Sequence, residues 1–238
     1  MDSVYAVARE GLLADFSRLT IQSQNLSNID TVGYKRQVAL TSGFDARLGE
    51  LSSVDGRDYQ TTTVSDVRPG VLKQTGRALD LALDGDGFFS VRTASGVRYT
   101  RRGDFTVAAG GRLVTAQGDV VLAGGGDLVL PNSDVRVDSE GKVYDGDRQL
   151  GQIDVVQFDD PRKLQYVGDA QFEAAAASPT TDRTVTQVRS GYLEASNVQP
   201  AHEMTALMGI SRQVELTRGV LTSRDEMLDS AINTLAQF

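Results

Sequence analysis

The distribution of apolar residues divides the chain into three textures. From Asp2 to about Asn28, the residues Val4, Ala8, Leu12, Phe16, Leu19 and Leu26, and then Ile29, follow at steps of three, four or seven. That spacing places them on one stripe of a helix, which at 1.5 Å per residue is about 40 Å long. At the other end Leu207, Val214, Leu221, Leu228 and Leu235 lie seven apart, with Met204, Ile210, Ile232 and Phe238 beside them. Thr217 and Arg224 hold the positions where a two-stranded zipper would carry its second apolar row, so this helix is predicted to pack among several neighbours. Ser196 and Gln199 read as a capping box ahead of it, with Pro200 in a first turn whose N–H groups have no helical partner.

Between Arg36 and about Gly191 short β-branched runs are punctuated by glycine. In "LDLALDGDGFFSV" Leu79, Leu81 and Leu83 alternate with Asp80, Ala82 and Asp84 before Gly85 and Gly87, the pattern of a hairpin with one buried face. Further runs at similar spacing predict an all-β domain. Gln37 to Gly70 is rich in Ser, Thr and Asp and reads as an extended arm, and "FEAAAASPTTDRT" as a loop leaving the β-domain. The predicted fold is α+β, with a long helix at each end and an inserted all-β domain. Its divisions are 1–36 for the first helix and the turn after it, 37–70 for the arm, 71–191 for the β-domain and 192–238 for the second helix.

Helices of this length owe their stability to burying a stripe, and each fully buried Leu, Val or Phe contributes about 1.5–3 kcal/mol. The pattern leaves two arrangements open. Both helices fold back on the β-domain as one core, or they pair with each other and leave Leu13, Ile21, Val220 and Met227 to be covered by other subunits.

Charge and composition narrow the chemistry. A net charge of −8 over 238 residues argues against holding nucleic acid or anionic lipid by bulk electrostatics. Arg98, Arg101 and Arg102 form the one candidate basic patch and read as a solvated strand edge. With no cysteine and one histidine, disulfides, thiolate nucleophiles and multi-His metal cages are excluded, and His202 reads as a surface residue. "SEGKV" lacks the remainder of a phosphate loop, "DGDGFF" fails as a calcium loop at Phe88, and Asp159 and Asp160 before Pro161 read as a solvated turn. Neither catalysis, a cofactor nor a metal is expected. No apolar run approaches the roughly 18 residues that span a bilayer, so direct membrane insertion is not expected. The first residues lack the pattern of a cleaved signal peptide, so any export is expected to use another route.

One stretch stands out: "SQNLSNIDTVGYKR" crowds Gln24, Asn25 and Asn28 at the foot of the first helix. Asn25, Leu26, Asn28, Thr31, Gly33, Tyr34 and Lys35 within it resemble the signature near the N-terminus of bacterial flagellar axial proteins, the rod and hook family; Ser23, Gln24 and Ser27 depart from it. "QTGRALDLALDGDGFFSV" with "YTRRGDFTVAAGGRLVTAQG" is similar to that family's β-domain, and "GYLEASNV", carrying Leu193, Glu194, Ser196, Asn197 and Val198, to its C-terminal segment. Within the family the chain looks closest to the proximal-rod type, with the distal-rod type as the rival. The resemblance implies terminal helices paired in a coiled-coil-like inner layer around a channel, an outer β-domain, and an arm reaching to adjacent subunits. It implies as partners copies of the same chain, other rod proteins and, during secretion, the flagellar type III export apparatus. The assembled rod would cross the periplasm as a drive shaft. Asn25 and Asn28 are expected to satisfy backbone groups at the helix end, Gly33 to take angles closed to other residues, and Tyr34, Lys35 and Arg36 to touch a neighbour. Two rival classes are a carbohydrate- or protein-binding β-module with an aromatic patch, and a carboxylate hydrolase.

Overall fold

The computed structural model describes residues 2–41, 61–131, 135–174, 177, 179–180 and 186–235. Helix α1 spans Asp2–Ser27 and helix α2 spans Pro200–Leu235. Pro200 opens α2, as its fixed backbone angle favours. The first backbone bond of α2 runs from the Glu203 N–H to the Gln199 carbonyl at 3.1 Å. The expected capping box does not form, because Ser196 lies four residues outside the helix. Its hydroxyl instead accepts the Val198 N–H at 3.3 Å in a preceding turn. The two helices contact each other, and no described helix is long and apolar enough to cross a membrane.

The β region is antiparallel in every registered pair. Its largest sheet is centred on Phe88–Thr93, which pairs with Gly96–Thr100 on one side and with Val120–Ala123 and Val155–Phe158 on the other. Gln171–Glu173 and then Gln165–Gly168 extend it beyond Gly96–Thr100. Leu113–Val114 and Thr106–Val107 extend it beyond Val120–Ala123. Lys142–Asp145 pairs with Arg136–Val137 and Arg148–Gln152 in a separate meander. Gln37–Thr41 and Thr61–Ser65 form a two-stranded sheet at the ends of the expected arm, whose middle lies outside the described residues.

The hairpin expected at Gly85 and Gly87 is absent. Leu81–Asp84 pairs with Gln187–Ser190, more than a hundred positions away along the chain, placing Leu83 opposite Val188. Ala82 and Asp80 are buried along with the leucines, and only Asp84 at the strand's end is exposed. The Asp80 carboxylate pairs with Arg77 at 3.4 Å, and its backbone carbonyl accepts the N–H groups of Gly191 and Tyr192. Over Leu81–Leu83 the strand is therefore covered on both sides.

Two apolar clusters fill the β region. The larger joins Leu81, Leu83, Phe89, Val91, Phe105, Leu113 and Ile153 among others, with Phe89 and Phe105 edge to face at 5.2 Å. The smaller is aromatic, built on Phe88, Phe158 and Phe172 with Tyr99 and Tyr166 against them. By compactness the chain divides into two units. One holds α1 to Leu26 and α2 from Gln199, and the other holds Ser27–Val38 and Val64–Val198. Phe105 is fully buried, and Phe105→Ala is expected to lower unfolding stability by about 3–5 kcal/mol, measured by denaturant titration of the full chain.

Candidate functional site

The signature after α1 folds inward. Gly33 adopts φ +66°, and a Cβ there would lie 2.4 Å from the Arg101 backbone, so this position requires glycine on two counts. Its N–H donates to the Glu194 carbonyl at 2.8 Å. Tyr34 and Lys35 follow, 1% and 0% exposed. The Tyr34 ring meets Tyr166 edge to face at 5.8 Å. The Lys35 Nζ donates to the Arg68 carbonyl at 2.9 Å and to Glu194 Oε1.

Glu194 is the centre of this cluster. Its Oε1 also accepts the Gly70 N–H at 2.8 Å, and its Oε2 accepts from Arg101 Nη1 at 3.2 Å. Arg101 is held in turn by donation to the Gly85 carbonyl at 2.8 Å and by the Phe88 ring 5.2 Å below its guanidinium. Three residues on, Asn197 Oδ1 accepts the Arg36 N–H at 2.7 Å, while its Nδ2 donates to the carbonyls of Asp66 and Arg68. Gln37 donates to the Ser65 hydroxyl and the Lys35 carbonyl. A single buried clasp therefore ties together four segments: Gly33–Gln37, Ser65–Gly70, Arg101 and Glu194–Asn197.

Its electrostatics are unbalanced by design of the chain. Two cations share one carboxylate, all three almost fully buried. Burial pushes Lys35 below the usual lysine range; the Glu194 charge opposes that shift and the Arg101 charge adds to it. Removing charges from water is tolerated only where they are paired and hydrogen-bonded.

These positions correct two expectations. Tyr34 and Lys35 are buried within this chain and are not presented to a neighbour, because the clasp consumes them. Arg101 is no solvated edge residue, since its charge is spent on Glu194; Arg102 pairs with Asp104, and Arg98 donates to Gln171. Asn25 is buried, and its amide donates to the Glu203 carboxylate at 3.3 Å, joining the end of α1 to the first turn of α2. Asn28 accepts from the Thr31 hydroxyl at 3.1 Å. Leu193 is half-buried beside Glu194, and Val198 is buried.

Along the helices Leu12, Leu19, Leu26, Leu207, Val214 and Leu221 are half-buried, as is Ile29 just beyond α1, and Phe16 is exposed. The side chains of Val4, Leu228 and Leu235 lie outside the described residues. Ile21 needs no external cover, being 7% exposed, whereas Leu13, Val220 and Met227 are 58%, 69% and 70% exposed. Sequence reasoning overlooked Glu203 and the pairing of Arg101 with Glu194. The available signals were the acidic Glu194 inside the otherwise apolar and amide-rich "GYLEASNV" and the acidic Glu203 in the first turn of α2. Among the described residues, Phe88, Phe158, Phe172, Tyr99 and Tyr166 pack against one another in one cluster. Among the described residues no group of carboxylates and histidine could hold a metal.

The shared carboxylate ranks the variants. Glu194→Leu strands two buried cations and is expected to lower stability by about 3–5 kcal/mol. Lys35→Met leaves a neutral Arg101–Glu194 pair and is expected to cost clearly less. Denaturant unfolding of both proteins checks the order.

Residues 82–145 match the flagellar hook protein FlgE/F/G D1 domain, and residues 189–234 match the flagellar basal body rod FlgEFG protein C-terminal family. Arg101 falls in the first match and Glu194 in the second. The chain is 31% identical to the flagellar basal-body rod protein FlgG of Bacillus subtilis (strain 168), over 91% of this chain and 93% of that protein. It is 30% identical to the flagellar basal-body rod protein FlgF of Rhizobium meliloti (strain 1021), over 96% of each chain. With the FlgF of Caulobacter vibrioides it shares 31% identity over 100% of this chain and 99% of that one. The chain belongs to the flagellar basal-body rod FlgE/F/G family, whose members are structural and not enzymatic.

Proposed function

We propose that this chain is a subunit of the proximal flagellar rod, assembling through its terminal helices with copies of itself and with other rod proteins into the shaft that carries torque across the periplasm. The observation that carries this reading is the apolar surface left on the helices. Leu13 and Phe16 on α1, and Met204, Met208, Leu216, Val220 and Met227 on α2, are each about half exposed or more. Uncovered apolar area of this kind marks an association surface. The half-buried stripe of Leu12, Leu19, Leu207, Val214 and Leu221 completes the face that neighbours would close. Delivery through the flagellar type III export apparatus belongs to the same reading, as does an arm over 37–70 reaching an adjacent subunit.

What supports the proximal reading is the resemblance of the segment "SGYLEASNVQP" to the proximal-rod type. The distal position is the alternative reading.

Because Leu216 and Val220 are 67% and 69% exposed, the double variant Leu216→Asp with Val220→Asp is expected to change the free subunit's stability by less than about 1 kcal/mol. Motility and rod assembly are expected to be lost; swimming at the wild-type level would refute the helical interface. Placement along the axis is checked by imaging basal bodies that carry a tagged chain. Density below the distal rod is the expected result.

A further inference from the structure

The chain passes between its two compact units at four places: Leu26 to Ser27, Val38 to Ala39, Thr63 to Val64, and Val198 to Gln199. Clasp residues stand beside three of these crossings on the side of the β-containing unit. Gln37 precedes the second, Ser65 follows the third and Asn197 precedes the fourth. The segment entering from the first crossing is pinned at Gly33 by Glu194. All four chain segments are thus fastened to one another before they leave the unit.

Two physical terms make this fastening all-or-none. Its bonds span long separations, 159 positions for Lys35 to Glu194 and 161 for Arg36 to Asn197. Loop closure must therefore be met before any of them forms. In addition, a half-closed state with Lys35 and Arg101 inside and Glu194 outside would leave two buried cations without their anion, which is worse than either extreme. We propose that the clasp is a two-state lock, centred on Glu194, that holds the four crossings as one bundle and opens as one unit while the sheet core stays folded. On the rod reading above, on which this clause rests, the lock keeps the crossings fixed while torque passes through the chain.

Native-state hydrogen exchange on the full-length protein tests the lock. The clasp amides are those of Gly33, Arg36, Asp66, Gly70 and Ala195, and the reference amides are Leu113, Leu130 and Ile153. Glu194→Gln is expected to accelerate all the clasp amides together by about a hundredfold, with the reference amides unchanged. Should that variant fail to fold, Lys35→Met carries the test, with a smaller acceleration shared by the same amides. Acceleration confined to Gly33 and Gly70, which bond Glu194 directly, would overturn the proposal, as would equal acceleration of the reference amides. A separate arm compares swimming of Lys35→Met cells in dilute and viscous media, where a larger loss of speed under load is expected. Unchanged swimming under load beside concerted exchange would refute the torque role alone; failure of concerted exchange would refute the lock itself.

Discussion

The Glu194 carboxylate is the constraint on which the arrangement of this chain depends. It lies buried between two cations, one from the start and one from the middle of the β region's sequence, and it also accepts a backbone N–H from a third segment. Each partner alone would be an expensive passenger in the interior. Together they are tolerable only when all are in place, which converts an electrostatic liability into a geometric specification. The apolar core could accept many shapes of similar volume, but the ion cluster accepts one register of four segments.

The close approaches around it follow from that register. Gly33 stands against the Arg101 backbone, and a Cβ at Gly70 would lie 1.9 Å from the Ala195 carbonyl. Side chains at either position would wedge the segments apart and draw Lys35 out of reach of Glu194. The glycine at each site is therefore the steric counterpart of the charge beside it. Aromatic packing supplies the remainder: Phe88 carries Arg101 on its face and packs at a steep angle against both Phe158 and Phe172.

The helices and the β texture were legible in the sequence because period and glycine spacing are local properties. α1 and α2 lie within a residue or two of where the stripes and Pro200 placed them, at least at their inner ends. The pairing of Leu81–Asp84 with Gln187–Ser190 was not legible, since alternation reports which faces are apolar in composition and not which partner lies alongside. The clasp was half legible. Its two motifs were recognised separately, yet nothing local to Lys35 or to Glu194 states that they meet. Arg101 was misread for the same reason: an arginine beside a strand is ordinarily solvated, and only a partner 93 positions away makes it an interior residue.

The exposed face of α2 has a further character. Of the chain's four methionines, all three beyond the first residue, Met204, Met208 and Met227, sit on it exposed. Thioether side chains are unbranched and polarizable, so such a face moulds itself to dissimilar neighbours more readily than one of valine and isoleucine. The same chemistry makes the free subunit vulnerable: sulfoxidation would turn an adhesive ridge hydrophilic before it met its companions.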